Sequence, residues 1–301
     1  MQDQELLRRA KIRGSAAEWA DFKSYLRNLP PETAFVLLRV LGEQLPIDND
    51  LEAAIDGSAD VWGHIVAGAA LMVRATRIRG MDTADRVKEE NWQSYFAYRE
   101  RAEQLLRFVL IHNPENGLAA AWFMAAAVDS DDVVKAEASD FLQASENVPI
   151  SGYSRLLSAN TEKWGGSHES MWQIARQFAE VKWPWSSALI AKAHYEQWLY
   201  LEMMDERPAA EYEAAQYFQS AAIRDELRNI SSAIRTAQTD DPYEAVFAHD
   251  VLAAVLAEAK MRKAAAEHLR QVGKFGDPAL LTGGPSWRRA LIRLLKGLPP
   301  W

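Results

Sequence analysis

Residues 83–112 read TADRVKEENWQSYFAYRERAEQLLRFVLIH. Val87, Trp92, Tyr95, Arg99, Ala102, Leu106 and Val109 recur at three- to five-residue steps and share one face of a helix. Lys88, Glu89, Glu90, Arg101 and Glu103 lie mostly off that face. A strand would alternate apolar and polar residues at every second position, and this stretch does not. It is read as one long amphipathic helix with a single buried stripe.

The same period extends in both directions. Segments rich in Ala, Leu, Glu, Arg and Gln predict helices at about 4–13, 17–28, 32–44, 60–79, 83–112, 118–129, 133–146, 153–163, 168–180, 185–204, 209–221, 224–237, 243–258, 262–272 and 286–296. Breaks are expected at Pro30-Pro31, Pro46, Gly80, Pro114 with Gly117, Pro149 with Gly152, Gly165-Gly166, Pro184, Pro208, Pro242, and Gly276 with Pro278. The expected fold class is all-α, an irregular α-solenoid of stacked helical hairpins. Its expected parts are an N-terminal helical bundle over 1–80, hairpins over 81–285 and a basic amphipathic helix over 286–301.

Composition bounds the function. The chain has 301 residues, 49% of them hydrophobic, enough for a large core and more than one compact core usually holds. It has no cysteine, which excludes disulfides and thiolate metal sites and suits a cytoplasmic protein. The start MQDQELLRRAKIRG has no apolar core segment, so no secretory signal is expected. Val61 to Val73 is the most apolar run, shorter than the roughly 20 residues of a membrane span, and reads as a buried helix. Of the net charge of −8, residues 15–285 hold 26 basic and 40 acidic side chains, whereas both ends are basic. An acidic body repels phosphate backbones and attracts basic segments, so nucleic acid is an unfavourable partner.

Two resemblances follow. His249 to Pro278 resembles a degenerate tetratricopeptide unit: Leu252, Ala253 and Leu256 stand in its first helix, Ala265, Leu269 and Val272 in its second, and Pro278 ends it. Trp122 to Pro149 is similar, with Trp122 and Ala126, then the Asp131-Asp132 turn, then Ala138 and Leu142. Both lack the glycine expected beside the first small residue, and the Leu189–Ser220 hairpin has an enlarged connection. The run Lys163-Trp164-Gly165-Gly166-Ser167-His168-Glu169, continued by Met171, Ala175, Phe178, Leu189 and His194, resembles uncharacterised bacterial helical-repeat proteins. That likeness implies a bacterial origin and no particular chemistry.

The chemical motifs mostly read as structure. Gly165-Gly166-Ser167 precedes a helix start, where an anion could sit, but it lacks the phosphate-loop spacing and lysine, and Ser167 is placed to cap. Asp240-Asp241-Pro242-Tyr243-Glu244 resembles a DDxxE magnesium-diphosphate motif, yet Asp241 as N-cap, Pro242 at N1 and Glu244 at N3 make a helix start. Asp129, Asp131 and Asp132 open like a calcium loop without its Gly and closing Glu, and read as a polar turn. The six histidines form no HExxH, and there is no GxSxG elbow. No catalytic, cofactor or metal residue is assigned.

Tryptophan is the unusual feature, with eleven in the chain. Trp164, Trp172, Trp183, Trp185 and Trp198 fall within 35 residues, with His194 and Tyr195 among them and Tyr200 nearby. Their size and N–H donors suit interhelix packing or the anchors of a groove. The expected groove is lined by Trp164, Trp172, Trp183, Trp185, His194, Tyr195 and Trp198, and alanine at Trp183 and Trp185 is expected to spare the fold. In the tail, Trp287, Leu291, Leu294, Leu295 and Leu298 share a stripe flanked by Arg288, Arg289, Arg293 and Lys296. Such a helix either caps the fold or contacts a membrane or partner, and capping is favoured. The function expected is a non-catalytic module binding a protein or peptide; the alternative is a helical enzyme or small-ligand binder with an enclosed pocket.

Overall fold

The computed structural model describes residues 16–44, 60–80 and 86–272. Among them are thirteen α-helices, two single-turn 3-10 helices and no strand, beyond one isolated bridge between Asn116 and Glu146. The protein is all-α. In chain order the helices are α1 (Ala16–Arg27), α2 (Pro31–Gln44), α3 (Val61–Arg79), α4 (Glu89–His112), α5 (Gly117–Ala127), α6 (Asp132–Ala144) and α7 (Ile150–Ala159). They continue with α8 (His168–Phe178), α9 (Ala188–Met203), α10 (Ala210–Tyr217), α11 (Ala221–Thr236), α12 (Pro242–Glu258) and α13 (Arg262–Val272). The expected helices 4–13 and 286–296 lie outside the described residues, as do Pro46, Gly276 and Pro278.

Side-chain caps start the helices where short polar residues precede an apolar run. Asp60 accepts from Trp62 N, Asn116 from Ala119 N, Asp131 from Val133 N and Val134 N, and Asp241 from Tyr243 N. Thus Asp240 to Glu244 is a helix start, with Glu244 ion-paired to Lys182 at 2.6 Å. Gly152 departs from its expected role as a break: α7 begins at Ile150, and a Cβ at Gly152 would lie 2.8 Å from Ala121 Cβ. This glycine serves close packing inside a helix.

The long helix is shorter than read, beginning at Glu89, and its stripe is real: Tyr95, Ala102, Leu106 and Val109 are buried. Glu103, placed off the stripe by its spacing, is buried as well. It ion-pairs with Arg99 at 3.3 Å and accepts from Ser130 Oγ at 2.7 Å, while Arg99 and Tyr95 both bind Asp129. Arg99 is one turn away on the same helix, but Ser130 and Asp129 lie beyond α5, and a single-helix pattern cannot anticipate them as partners of this buried pair.

The chain divides into two compact units between Leu156 and Leu157. In the first, α3 packs mainly against α4, so residue 80 falls inside a unit and not at a domain edge. All of α5 is buried, and its Trp122 stacks on Phe35 of α2 at 4.4 Å. In the second, α9 is central, touching α8, α10 and α12, and α12 pairs with α13. The α5/α6 and α12/α13 hairpins bury Ala126, Ala138 and Leu142, and Leu252, Ala253, Ala265 and Leu269. Among the described residues no helix is long and apolar enough to cross a membrane.

Candidate functional site

The glycine turn before α8 is built by close backbone approach. Gly165 takes φ 84, in the left-handed region, and Gly166 N donates to Thr161 O at 3.0 Å. A Cβ at Gly166 would stand 2.2 Å from Asn160 O, so only glycine fits. Ser167 Oγ accepts from Ser170 N, Ser167 N donates to Asn160 O, and His168 N faces Glu162 Oε1 at 3.4 Å. Of the first-turn amides that an anion would need, those of His168 and Ser170 are already engaged, the first by a carboxylate. Gly165, Gly166 and Ser167 act as a stop and a cap.

The seven residues of the expected groove do not form one surface. Trp185 is 5% exposed and packs edge-on against His249, whereas Trp183, two residues earlier, is 54% exposed. Their rings face opposite environments. Trp198 is half-buried between Tyr195 and Phe218, and Trp164 is half-buried beside the glycine turn. Burial first, then Glu258 and Glu196, push the Tyr195 hydroxyl up to about 12. His194 is only 4% exposed, so it belongs to the interior.

The structure does bring Trp172 and His194 together, 4.7 Å between ring centres, at a junction of four helices. His194 Nδ1 lies 2.9 Å from Tyr217 Oη and its Nε2 lies 2.9 Å from Glu226 Oε2. Arg176 ion-pairs with Glu226 and covers the Trp172 face at 5.2 Å, and Gln197 Oε1 accepts from Trp172 Nε1 at 2.7 Å. Burial lowers the His194 pKa, against the opposing pull of Glu226. The neutral ring then donates from Nε2 to Glu226, and the single Tyr217 hydroxyl proton is shared between His194 Nδ1 at 2.9 Å and Gln197 Oε1 at 3.1 Å. Glu226 is also pushed up by burial, but Arg176 and His194 hold it below the ordinary range. Gln197, Tyr217 and Glu226 went unread in the sequence, since they stand on three different helices and share no local motif.

Other polar groups are similarly engaged with one another. Glu196 sits between Lys163 at 2.6 Å and Lys192 at 2.8 Å; burial raises its pKa, yet the two ammonium groups bring it down to about 2. Glu196 and His168 line a cavity of about 10 Å³, the space of a single water, and His194 does not reach it. His268 binds His249 at 2.7 Å and Ser231 at 2.8 Å, deep in the α12/α13 core. Among the described residues no three His, Asp or Glu side chains converge as a metal site.

The open feature is elsewhere, along α6. Its outward face, with Pro114 from the α4–α5 turn, lines a groove of about 780 Å³. Val133, Ala136, Phe141 and Ala144 make the floor, and Asp132, Glu137 and Asp140 are the charged residues in the lining. Val133 is 78% exposed, and Ile111, at the end of α4, is 65% exposed. The opposite face carries Ala138 and Leu142 into the core. The signal was present as a second apolar stripe in residues 132–144, beside the one that packs. No protein family, curated protein or solved structure matches the chain.

Proposed function

We propose that the protein is a non-catalytic helical-hairpin module, tetratricopeptide-like in its pairing of small residues, that captures a protein or peptide segment. The observation that carries this reading is the α6 groove, where apolar side chains stand in solvent on a helix whose other face is packed. A groove of this kind takes an extended or helical segment by laying side chains into it. The reading gains support from the polar groups that an enclosed active site would need. His194 is engaged by Tyr217 and Glu226, Glu196 by two lysines, and the cavity beside His168 holds no more than a water.

Affinity capture with the full chain and with a Val133→Glu, Ala136→Glu variant tests it. Both positions are exposed, so the circular dichroism should be unchanged. The expected result is loss of the captured species with the variant. Capture by the variant equal to that of the wild type would remove the groove as the docking face.

A further inference from the structure

Resting on the reading of α6 as a docking face, we infer that the segment it takes is a basic amphipathic helix. Val133 to Ala144 covers eleven residue steps, about 16 Å at the helical rise, which matches roughly three turns of a partner helix. Apolar side chains three and four residues apart on such a helix would meet Val133, Ala136, Phe141 and Ala144.

The charge around that floor selects the partner. Asp132, almost wholly exposed, and Asp140 stand on the lining itself. Glu137 lines it too and is ion-paired with Arg107 at 2.9 Å. Beyond the Pro114 end, Glu115 and Glu146 are exposed, and Asp131 is exposed at the other end. Arg107 and Lys135 offset two of these six carboxylates, Lys135 lying 4.0 Å from Asp132. The remaining negative charge attracts arginine and lysine on the flanks of an apolar stripe and repels acidic flanks.

The probe is a fluorescent peptide copying residues 286–301, whose Leu stripe is flanked by Arg288, Arg289, Arg293 and Lys296. Fluorescence anisotropy against the full chain should show binding that weakens about tenfold or more with Val133→Glu. Asp132→Lys with Asp140→Lys should weaken it about threefold to tenfold and flatten its salt dependence. A second peptide carrying Arg288→Glu, Arg289→Glu, Arg293→Glu and Lys296→Glu should bind at least about tenfold more weakly. Equal binding of the two peptides overturns the inference, as does binding of the basic peptide that ignores both groove variants. A basic peptide that fails to bind, while capture of a natural partner still depends on Val133, overturns the partner chemistry alone. Capture that ignores Val133 removes the docking face together with its occupant.

Discussion

His249 Nδ1 and His268 Nδ1 face each other at 2.7 Å in the core between α12 and α13, with Ser231 Oγ on the far nitrogen of His268. One N–H, donated by one neutral ring to the other, fits between the two Nδ1 atoms, and a second proton there would put a charge where water does not reach. Burial first, then His249 and Arg235, bring the His268 pKa down to about 3.

The depressed value fixes the sign of a pH effect. Below about 6.5 the unfolded chain binds a proton at His268 that the folded chain refuses, so folding stability falls with pH. The loss from this group approaches about 1.4 kcal/mol per pH unit well below pH 6.5 and ends near the folded pKa. His194 acts in the same direction. Urea unfolding between pH 7.5 and 5 should therefore show a steeper slope for the wild type than for His268→Gln. Equal slopes would mean that the buried pair does not control the titration.

Trp183 and Trp185 should separate cleanly under mutation. Trp185 is buried against His249, so Trp185→Ala should cost about 3–5 kcal/mol. Trp183 stands largely in solvent, and Trp183→Ala should change stability by no more than about 0.5 kcal/mol. Denaturant midpoints of the two single variants decide it. The burial of Trp185 thus speaks against the expectation that both substitutions spare the fold.

The contrast between these two residues shows what a single sequence conveys. Helix existence is local: the period of residues 89–112, the Asp241-Pro242 start and the Ser167 cap are decided by neighbours a few positions away. The environment of a side chain is not. Trp183 and Trp185 have the same chemistry two residues apart, and helices distant in sequence, among them α12 with His249, cover only the second. Glu103 likewise lies off the apolar stripe, and Ser130, 27 residues later, joins it and Arg99 in the interior. The α6 groove was missed for a related reason. Ala136 and Ala144 serve equally well in a core or on a surface, so composition alone assigns them to neither.

Two glycines should respond in opposite directions. Gly166 meets Asn160 O at 2.2 Å from an added Cβ, and the contact is backbone that cannot swing away, so Gly166→Ala should cost about 2–3 kcal/mol. Gly63 lies in α3 with its nearest neighbour 3.8 Å from an added Cβ. There the methyl fits, and alanine removes backbone freedom from the unfolded chain, so Gly63→Ala should stabilise by about 0.5–1 kcal/mol. Thermal unfolding of both variants provides the check.

Glu32 is the most deeply buried carboxylate among the described residues of the first unit, 1% exposed, and its place is the N-terminus of α7. Ser151 N donates to its Oε2 at 3.0 Å and Ser151 Oγ donates to its Oε1. The orphan amides and positive end of α7 give this negative charge a reason to be inside, and Glu32 ties α2 to a helix more than a hundred residues later. Glu32→Ala removes both acceptors and leaves a half-buried amide unpaired, a loss of about 2–3 kcal/mol. Glu32→Gln keeps one acceptor and loses the charge, so about half of that loss is expected. If Glu32→Gln proved as damaging as Glu32→Ala in urea unfolding, the negative charge at the helix end, and not the acceptor, would be what stabilises this joint.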